Sequence, residues 1–139
     1  MLAEALERMP HAGPMQLIER IVSADASGIR CLAKDHSAPT YPLRLDGCLH
    51  GGCLVELGAQ AAAAHTSLFA SAGAHTGLVL ALSNLEIARD RVDTPERLTV
   101  LAALLQALGG GASYRVEVFS GAGLVVASDL LLGIRGGPA

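Results

Sequence analysis

One carboxylate, Glu56, lies within the longest apolar stretch of the chain, which spans residues 51–74. Gln60 follows four residues later, and on a helix residues four apart lie on the same face. A carboxyl group in apolar surroundings has its pKa raised, because burial disfavours the charged form, and a raised pKa suits a general acid near neutrality. Glu56 is therefore the first candidate for catalysis, and the alternative is a structural carboxylate that is hydrogen-bonded at a subunit interface.

Other residues with useful chemistry precede Glu56. Gly51 and Gly52 lie where a helix over this stretch would begin, and the backbone N–H groups of a helix start can hold a negatively charged oxygen. His50 is next to them and His36 lies further upstream, and histidine is the usual proton carrier near pH 7. Tyr41 would be a poor base because a phenol titrates at about 10, so we expect it to orient a substrate. Each of these residues could instead belong to an ordinary helix cap or loop.

The segments before this stretch predict the elements that hold these residues in place. Residues 15–25 are rich in apolar and β-branched side chains, and Ile29, Cys31 and Ala33 recur at every second position. The two segments predict a hairpin of strands. Residues 35–49 show no periodicity and therefore predict a loop, and a loop of this size in a compact domain is usually functional.

A long helix over residues 51–71 and further strands complete the predicted elements. The strands are expected at residues 77–89, 97–108, 113–120 and 124–135. Leu and Ala dominate residues 98–108, which would also suit a helix, but the hairpin-type glycines that follow favour a strand. The short turns between consecutive strands predict antiparallel neighbours. A short helix is also predicted at residues 2–8, ended by Pro10.

This order of elements predicts an α+β fold in one domain over residues 1–139, with an antiparallel sheet around one long central helix. Hydrophobic residues make up 51% of the chain and charged residues 17%, whereas charged residues usually make up about 25%. Such a chain has more apolar surface than a small monomer hides, and the helix can cover only one face of the sheet. We therefore expect a homodimer or a higher homo-oligomer.

Composition also argues against several classes of function. The net charge of −3 provides no basic surface for a nucleic acid. Cys48 and Cys53 flank His50, but the chain lacks the second pair of ligands that a zinc site would need, and no nucleotide-binding motif suggests a cofactor. Glu56 and His65 would be costly in lipid, so no membrane span is expected, and the absence of a secretion signal favours the cytoplasm.

Two segments resemble the hotdog-fold 3-hydroxyacyl-ACP dehydratases. Residues 9–21 (MPHAGPMQLIERI) are similar to the Pro-His-x-x-Pro opening of that family and to the apolar strand that follows it. Residues 51–60 (GGCLVELGAQ) are similar to the start of the central helix of the family, with its glycine, glutamate and Ala-Gln pair. The resemblance is strongest to a diverged branch associated with aryl polyene biosynthesis. It implies a hotdog fold, in which an antiparallel sheet wraps around one long central helix.

The resemblance also implies roles for individual residues. Glu56 would protonate the departing hydroxyl, Gln60 would support that carboxylate, and the N–H of Gly51 would hold the thioester oxygen. The substrate would be an acyl thioester on acyl carrier protein or on CoA. An acidic carrier would need basic contacts, for which the candidates are Arg44, Arg89 and Arg91.

The histidine of the family has no counterpart at its usual place. Counting back from Glu56 as in the family gives Pro42, so His50 or His36 would have to replace that base. Three functions therefore remain open. The chain is a dehydratase with a displaced histidine, a catalytically silent subunit that binds acyl groups or forms a hetero-oligomer with another hotdog protein, or an acyl thioesterase in which Glu56 activates water.

Overall fold

The computed structural model describes residues 15–69, 75–121 and 123–135. In this part of the chain six strands flank one long helix: β1 (Ile18–Asp25), β2 (Gly28–Ala33), β3 (His75–Ile87), β4 (Thr99–Leu108), β5 (Gly111–Ser120) and β6 (Gly123–Arg135). A short 3-10 helix (Gly51–Leu54) leads directly into the long helix, α1 (Val55–Phe69). The strands and the helix lie where the sequence predicted them. The helix predicted at residues 2–8 lies outside the described residues.

The strands form one antiparallel sheet in the order β1-β2-β4-β5-β6-β3. Consecutive strands are neighbours for β1 and β2 and from β4 to β6, as predicted, but that prediction is wrong for β3 and β4. β3 pairs with β6 at the far side of the sheet. The connection between β3 and β4 does not turn back as a hairpin, since β4 pairs with β2 and β5. It passes beside the loop before the helix, where the N–H of Val92 is donated to the carbonyl of Leu49.

Helix α1 packs on one face of this sheet, where small residues allow a close approach. Its alanine-rich middle is buried. Gly58 faces β5 directly, and a Cβ atom at this position would lie 2.5 Å from Cγ2 of Val116. Only glycine permits that distance, because the neighbour belongs to a packed, β-branched side chain. The predicted architecture, a sheet around one central helix, is confirmed.

The face of each strand follows from its alternating pattern. On β5, Tyr114, Val116 and Val118, which are two residues apart, are buried on the side of the helix. On β4, Val100 and Ala102 are buried in the same way, so residues 99–108 form a strand and not the alternative helix. Period-two burial of this kind places one side of each strand in the core and the other towards solvent.

Strand β3 differs from the other strands in the number of large apolar side chains that it exposes. It lies at the edge of the sheet, and its large exposed hydrophobic residues, each 42–59% accessible, are Val79, Leu80, Leu82, Leu85 and Ile87. They recur along the strand from Val79 to its last residue, Ile87. Within the described residues no helix has the length and hydropathy needed to cross a membrane.

Candidate functional site

The start of the helix is pinned against the segment that follows β3. The N–H of Gly51 is donated to the carbonyl of Asp90 over 2.8 Å. A Cβ atom on Gly51 would lie 1.9 Å from the carbonyl oxygen of Arg89, so this position requires glycine. The N–H of Gly51, which is predicted to hold a thioester oxygen, is thus bonded within the fold in this structure.

Gly52 is the next residue of the same helix start. It is half-buried, and a Cβ atom here would meet the Cδ1 atom of Ile87 at 3.1 Å. Ile87 is the last residue of β3 and is 46% exposed. The helix start therefore adjoins the exposed apolar edge strand, and Gly52 remains a candidate donor for a substrate oxygen.

Glu56 and Gln60 lie on one face of the first turns of α1, as expected for residues four apart. Gln60 is fully buried; its Oε1 accepts the N–H of Leu17 at 2.9 Å and its Nε2 donates to the carbonyl of Met15 at 2.8 Å. The same Nε2 lies 3.4 Å from Oε1 of Glu56. Gln60 therefore joins the helix to the segment before β1 and also contacts the carboxylate, which is itself half-buried.

His50 precedes the 3-10 helix and forms its N-terminal cap residue, but its side chain makes no capping bond. Its backbone pairs with Arg91 in an isolated bridge, and its carbonyl accepts the N–H of Cys53 at 3.1 Å. The residue is half-buried. The structure thus places His50 at the helix start, two residues before Gly52.

His36 and Tyr41 are both buried in the loop between β2 and the helix start. Nε2 of His36 lies 2.8 Å from the carbonyl oxygen of Glu96. The two rings meet edge to face, with centroids 6.1 Å apart and planes inclined by 65°. Burial raises the pKa of Tyr41 to about 12, while nearby Arg44 acts in the opposite direction. Tyr41 consequently keeps its proton at neutral pH and can only donate or accept hydrogen bonds.

Leu17 connects this loop to the helix. Its carbonyl accepts the N–H of Lys34, at the start of the loop, and its N–H is donated to Gln60 on the helix. Leu17 is therefore hydrogen-bonded both to the loop that carries His36 and to the helix face that carries Glu56 and Gln60. His50 and Gly52 belong to the other end of the same loop, where it enters the helix.

The three arginines predicted to contact an acidic carrier have different surroundings. Arg44 donates its Nε to the carbonyl of His36 and its Nη1 to the carbonyl of Gly47, so it stabilises the loop. Arg89 donates to the hydroxyl of Ser120. Arg91 is exposed, and its backbone pairs with His50 at the helix start. Arg91 is therefore the best placed of the three to meet a partner.

A model of the ApeP-like family, described as ApeP dehydratase, matches residues 3–132 of the chain. The chain belongs to the ApeP-like dehydratase family. This match confirms the resemblance that the motifs at residues 9–21 and 51–60 indicated. No curated protein matches the chain.

Solved structures show the fold of this ApeP-like chain. It is similar to the dehydratase heterocomplex ApeI:P from Xenorhabdus doucetiae, with 20% identity, a TM-score of 0.77, and 96% of this chain and 91% of the other covered. AziG from S. sahachiroi shares 18% identity at a TM-score of 0.66, covering 86% and 90%. A thioesterase from Haemophilus influenzae shares 20% identity at a TM-score of 0.65, covering 84% and 78%. The predicted hotdog fold is confirmed, and because this fold serves dehydratases and thioesterases alike, the reaction must be argued from the residues.

One polar cluster of the ApeP-like chain carried no motif in the sequence. Nδ1 of His65 lies 2.7 Å from the hydroxyl of Tyr114, which also lies 2.9 Å from Oγ1 of Thr66. Nε2 of His65 donates to the carbonyl of Asp25 at 2.8 Å. Burial raises the pKa of Tyr114, and its hydrogen bond with Thr66 opposes the shift. Both ring nitrogens of His65 are bonded inside the fold, which is the pattern of a structural network. A buried histidine in an alanine-rich helix was the only available signal for it.

Proposed function

We propose that this ApeP-like chain dehydrates a 3-hydroxyacyl thioester carried by acyl carrier protein, working with a second hotdog subunit in the cytoplasm. The observation that carries the proposal is the position of Glu56. It lies in the first turn of α1, in contact with Gln60 and beside the glycine-rich helix start. Membership of a dehydratase family favours elimination over hydrolysis as the reaction that this carboxyl group serves.

The proposed reaction needs one acid and one base. The base removes a proton from the α-carbon, its electrons form the carbon–carbon double bond, and the bond from C3 to the hydroxyl breaks. Glu56 gives its proton to the departing hydroxyl, which leaves as water. The N–H of Gly52 is proposed to hold the thioester oxygen, on which negative charge builds up when the α-proton is removed.

For the base we propose His50, which lies at the helix start with Gly52 and is partly accessible. The alternative base in this chain is His36, whose ring is buried in the loop. A histidine of the second subunit is the remaining source. This possibility is supported by the absence of a histidine at Pro42, the position that matches the family base.

The second subunit is proposed to bind at β3. That strand lies at the edge of the sheet and exposes five large hydrophobic side chains, and its last residue contacts the helix start at Gly52. A subunit at this edge would cover the site as well as the apolar strand. The Xenorhabdus dehydratase is a heterocomplex, so a hotdog partner of a different sequence is preferred here over a second copy.

The test is turnover of 3-hydroxyacyl and saturated acyl thioesters, followed by mass spectrometry. The chain is assayed alone and after mixing with a hotdog dehydratase that retains the family histidine. Release of water from the hydroxyacyl substrate is expected. Glu56→Gln should lower that rate on the order of 100-fold or more, whereas Glu117→Gln, on the outward side of β5, should leave it unchanged.

The other outcomes identify the rival functions. Release of free thiol from the saturated substrate, without loss of water, would identify a thioesterase and overturn the proposal. Turnover by the mixture that is insensitive to Glu56→Gln would identify a silent subunit, because the partner would then supply the whole site.

A further inference from the structure

Two buried polar atoms in the loop before the helix make no hydrogen bond. Within the described part of the chain these are Nδ1 of His36 and the hydroxyl oxygen of Tyr41. Nearly all buried polar groups in folded proteins are hydrogen-bonded, because leaving one without a partner costs free energy. Two such atoms, on side chains that lie close together in one loop, therefore call for an explanation. A ligand group bound between them would supply one.

The hydrogen-bonding roles of the two atoms are fixed by their surroundings. Nε2 of His36 faces the carbonyl oxygen of Glu96 at 2.8 Å. A carbonyl only accepts, so Nε2 carries the hydrogen and Nδ1 of the neutral ring is an acceptor. Tyr41 keeps its proton at neutral pH, since burial raises its pKa to about 12, and its hydroxyl is a donor. The loop thus offers one acceptor and one donor.

The two side chains are held close together. Their rings meet edge to face with centroids 6.1 Å apart. The backbone between them is fixed, because the N–H of Tyr41 is donated to the carbonyl of Ala38 and Arg44 donates to the carbonyl of His36. A paired acceptor and donor is complementary to an alcohol, which donates through its hydrogen and accepts through its oxygen.

We propose that His36 and Tyr41 form the binding site for the 3-hydroxyl group of the substrate. The inference rests on the proposed function and adds to it the residues that recognise the hydroxyl group of the substrate. Nδ1 of His36 accepts the hydroxyl hydrogen, and Tyr41 donates to the hydroxyl oxygen. Leu17, bonded to Lys34 on one side and to Gln60 on the other, joins this loop to the helix face of Glu56.

This arrangement assists the elimination and leaves the bonds formed, the bonds broken and the proton transfers of the proposed reaction unchanged. As the bond from C3 to oxygen breaks, Glu56 supplies the proton, and the hydrogen bond from Tyr41 stabilises the negative charge that builds up on that oxygen. The product water still has a hydrogen for His36 and a lone pair for Tyr41. Both residues touch the reacting hydroxyl in this scheme, and neither exchanges a proton with the α-carbon.

The test measures binding, so it does not depend on turnover. In a Glu56→Gln background, calorimetry compares 3-hydroxyhexanoyl-pantetheine with hexanoyl-pantetheine, which differ only in the hydroxyl. The hydroxylated thioester should bind at least on the order of tenfold more tightly, because a site built to hydrogen-bond a hydroxyl discriminates against the analogue that lacks it. Tyr41→Phe and His36→Gln should each remove this preference and leave the Kd of hexanoyl-pantetheine unchanged.

The substitutions are chosen to preserve the fold. Tyr41→Phe deletes a hydroxyl that makes no bond, and glutamine at position 36 can still donate to the carbonyl of Glu96. The control is Tyr114→Phe, which removes a buried hydroxyl of the His65 network and should leave the preference intact.

Equal affinities for the two thioesters, or a preference that survives both loop substitutions, would overturn the hydroxyl site. Its failure is distinguishable from failure of the proposed function. A chain that dehydrates its substrate without any hydroxyl preference refutes this inference alone. A chain that shows the preference but never releases water, alone or with a partner, refutes only the proposed reaction.

Discussion

The two buried tyrosines of the core, Tyr41 and Tyr114, differ in what their hydroxyl groups contact. That of Tyr114 is bonded to His65 and Thr66, whereas that of Tyr41 makes no hydrogen bond. Tyr114→Phe should therefore lower the free energy of unfolding by about 1–2 kcal/mol, because it also leaves buried groups without a partner. Tyr41→Phe should lower it by less than about 0.5 kcal/mol or raise it, since an unsatisfied polar group is removed.

Urea unfolding of the two variants beside the wild-type chain measures both effects. A loss of stability in Tyr41→Phe as large as in Tyr114→Phe would mean that the Tyr41 hydroxyl has a partner in the free protein. The hydroxyl-binding site would then lose its physical basis.

At the residue scale, the sequence could predict that Glu56 and Gln60 lie side by side, because helical periodicity places residues four apart on one face. The pairing of His36 with Tyr41 could not be predicted, since it depends on the path of an aperiodic loop. The hydrogen bond of Gly51 within the fold could not be predicted for a similar reason. The N–H of this glycine is donated to the carbonyl of Asp90. A hydrogen bond between residues so far apart in the chain leaves no local pattern in the sequence.

At the element scale, the approach of the helix start to the segment after β3 sets the geometry of the site. Gly51→Ala would place a Cβ atom 1.9 Å from the backbone oxygen of Arg89, and backbone cannot move aside as a side chain can. We expect a loss of about 2–3 kcal/mol in the free energy of unfolding, together with loss of dehydratase activity. Chemical denaturation and the turnover assay measure the two effects.

The matched control is Gly109→Ala in the turn between β4 and β5. A Cβ atom there has nothing within 4 Å, so stability should change by less than about 0.5 kcal/mol. If the two substitutions proved equally mild, the helix start would have to be looser than the structure shows.

Strands could be predicted because burial of one face places an apolar residue at every second position of the sequence. Ile29, Cys31 and Ala33 on β2 and Tyr114, Val116 and Val118 on β5 alternate in the sequence, and the structure buries them. Strand order was only partly predictable. Tight turns specify neighbours, as between β4 and β5, but the longer connection after β3 has no local signal for the crossover that pairs β3 with β6.

At the scale of the whole molecule, the edge strand β3 carries five of the large hydrophobic side chains that are exposed among the described residues. Leu82 is 48% exposed on this strand, and a charge buried at an interface is costly without a partner. Leu82→Glu should therefore shift the protein from oligomer to monomer in sedimentation velocity at micromolar concentration. It should also prevent assembly with a second hotdog subunit.

Val22→Glu provides the comparison at the opposite edge. Val22 is similarly exposed, at 44%, but lies on β1, so its substitution should leave the oligomer intact. A wild-type chain that sediments as a monomer, even when mixed with a hotdog dehydratase, would remove β3 as an interface.

The last prediction concerns the charge of the molecule and its proposed carrier. The chain has a net charge of −3, so an acidic carrier must meet a local positive group, and Arg91 is exposed beside the helix start. Arg91→Glu should raise the KM for an acyl carrier substrate roughly fivefold, in keeping with the small energies of exposed ion pairs, and should leave kcat unchanged. The KM for the matching pantetheine thioester should not change, because that substrate has no carrier surface. Arg30→Glu, exposed on β2, is the control of equal charge, and an equal rise in KM from this variant would assign the effect to net charge and exclude Arg91 as a docking residue.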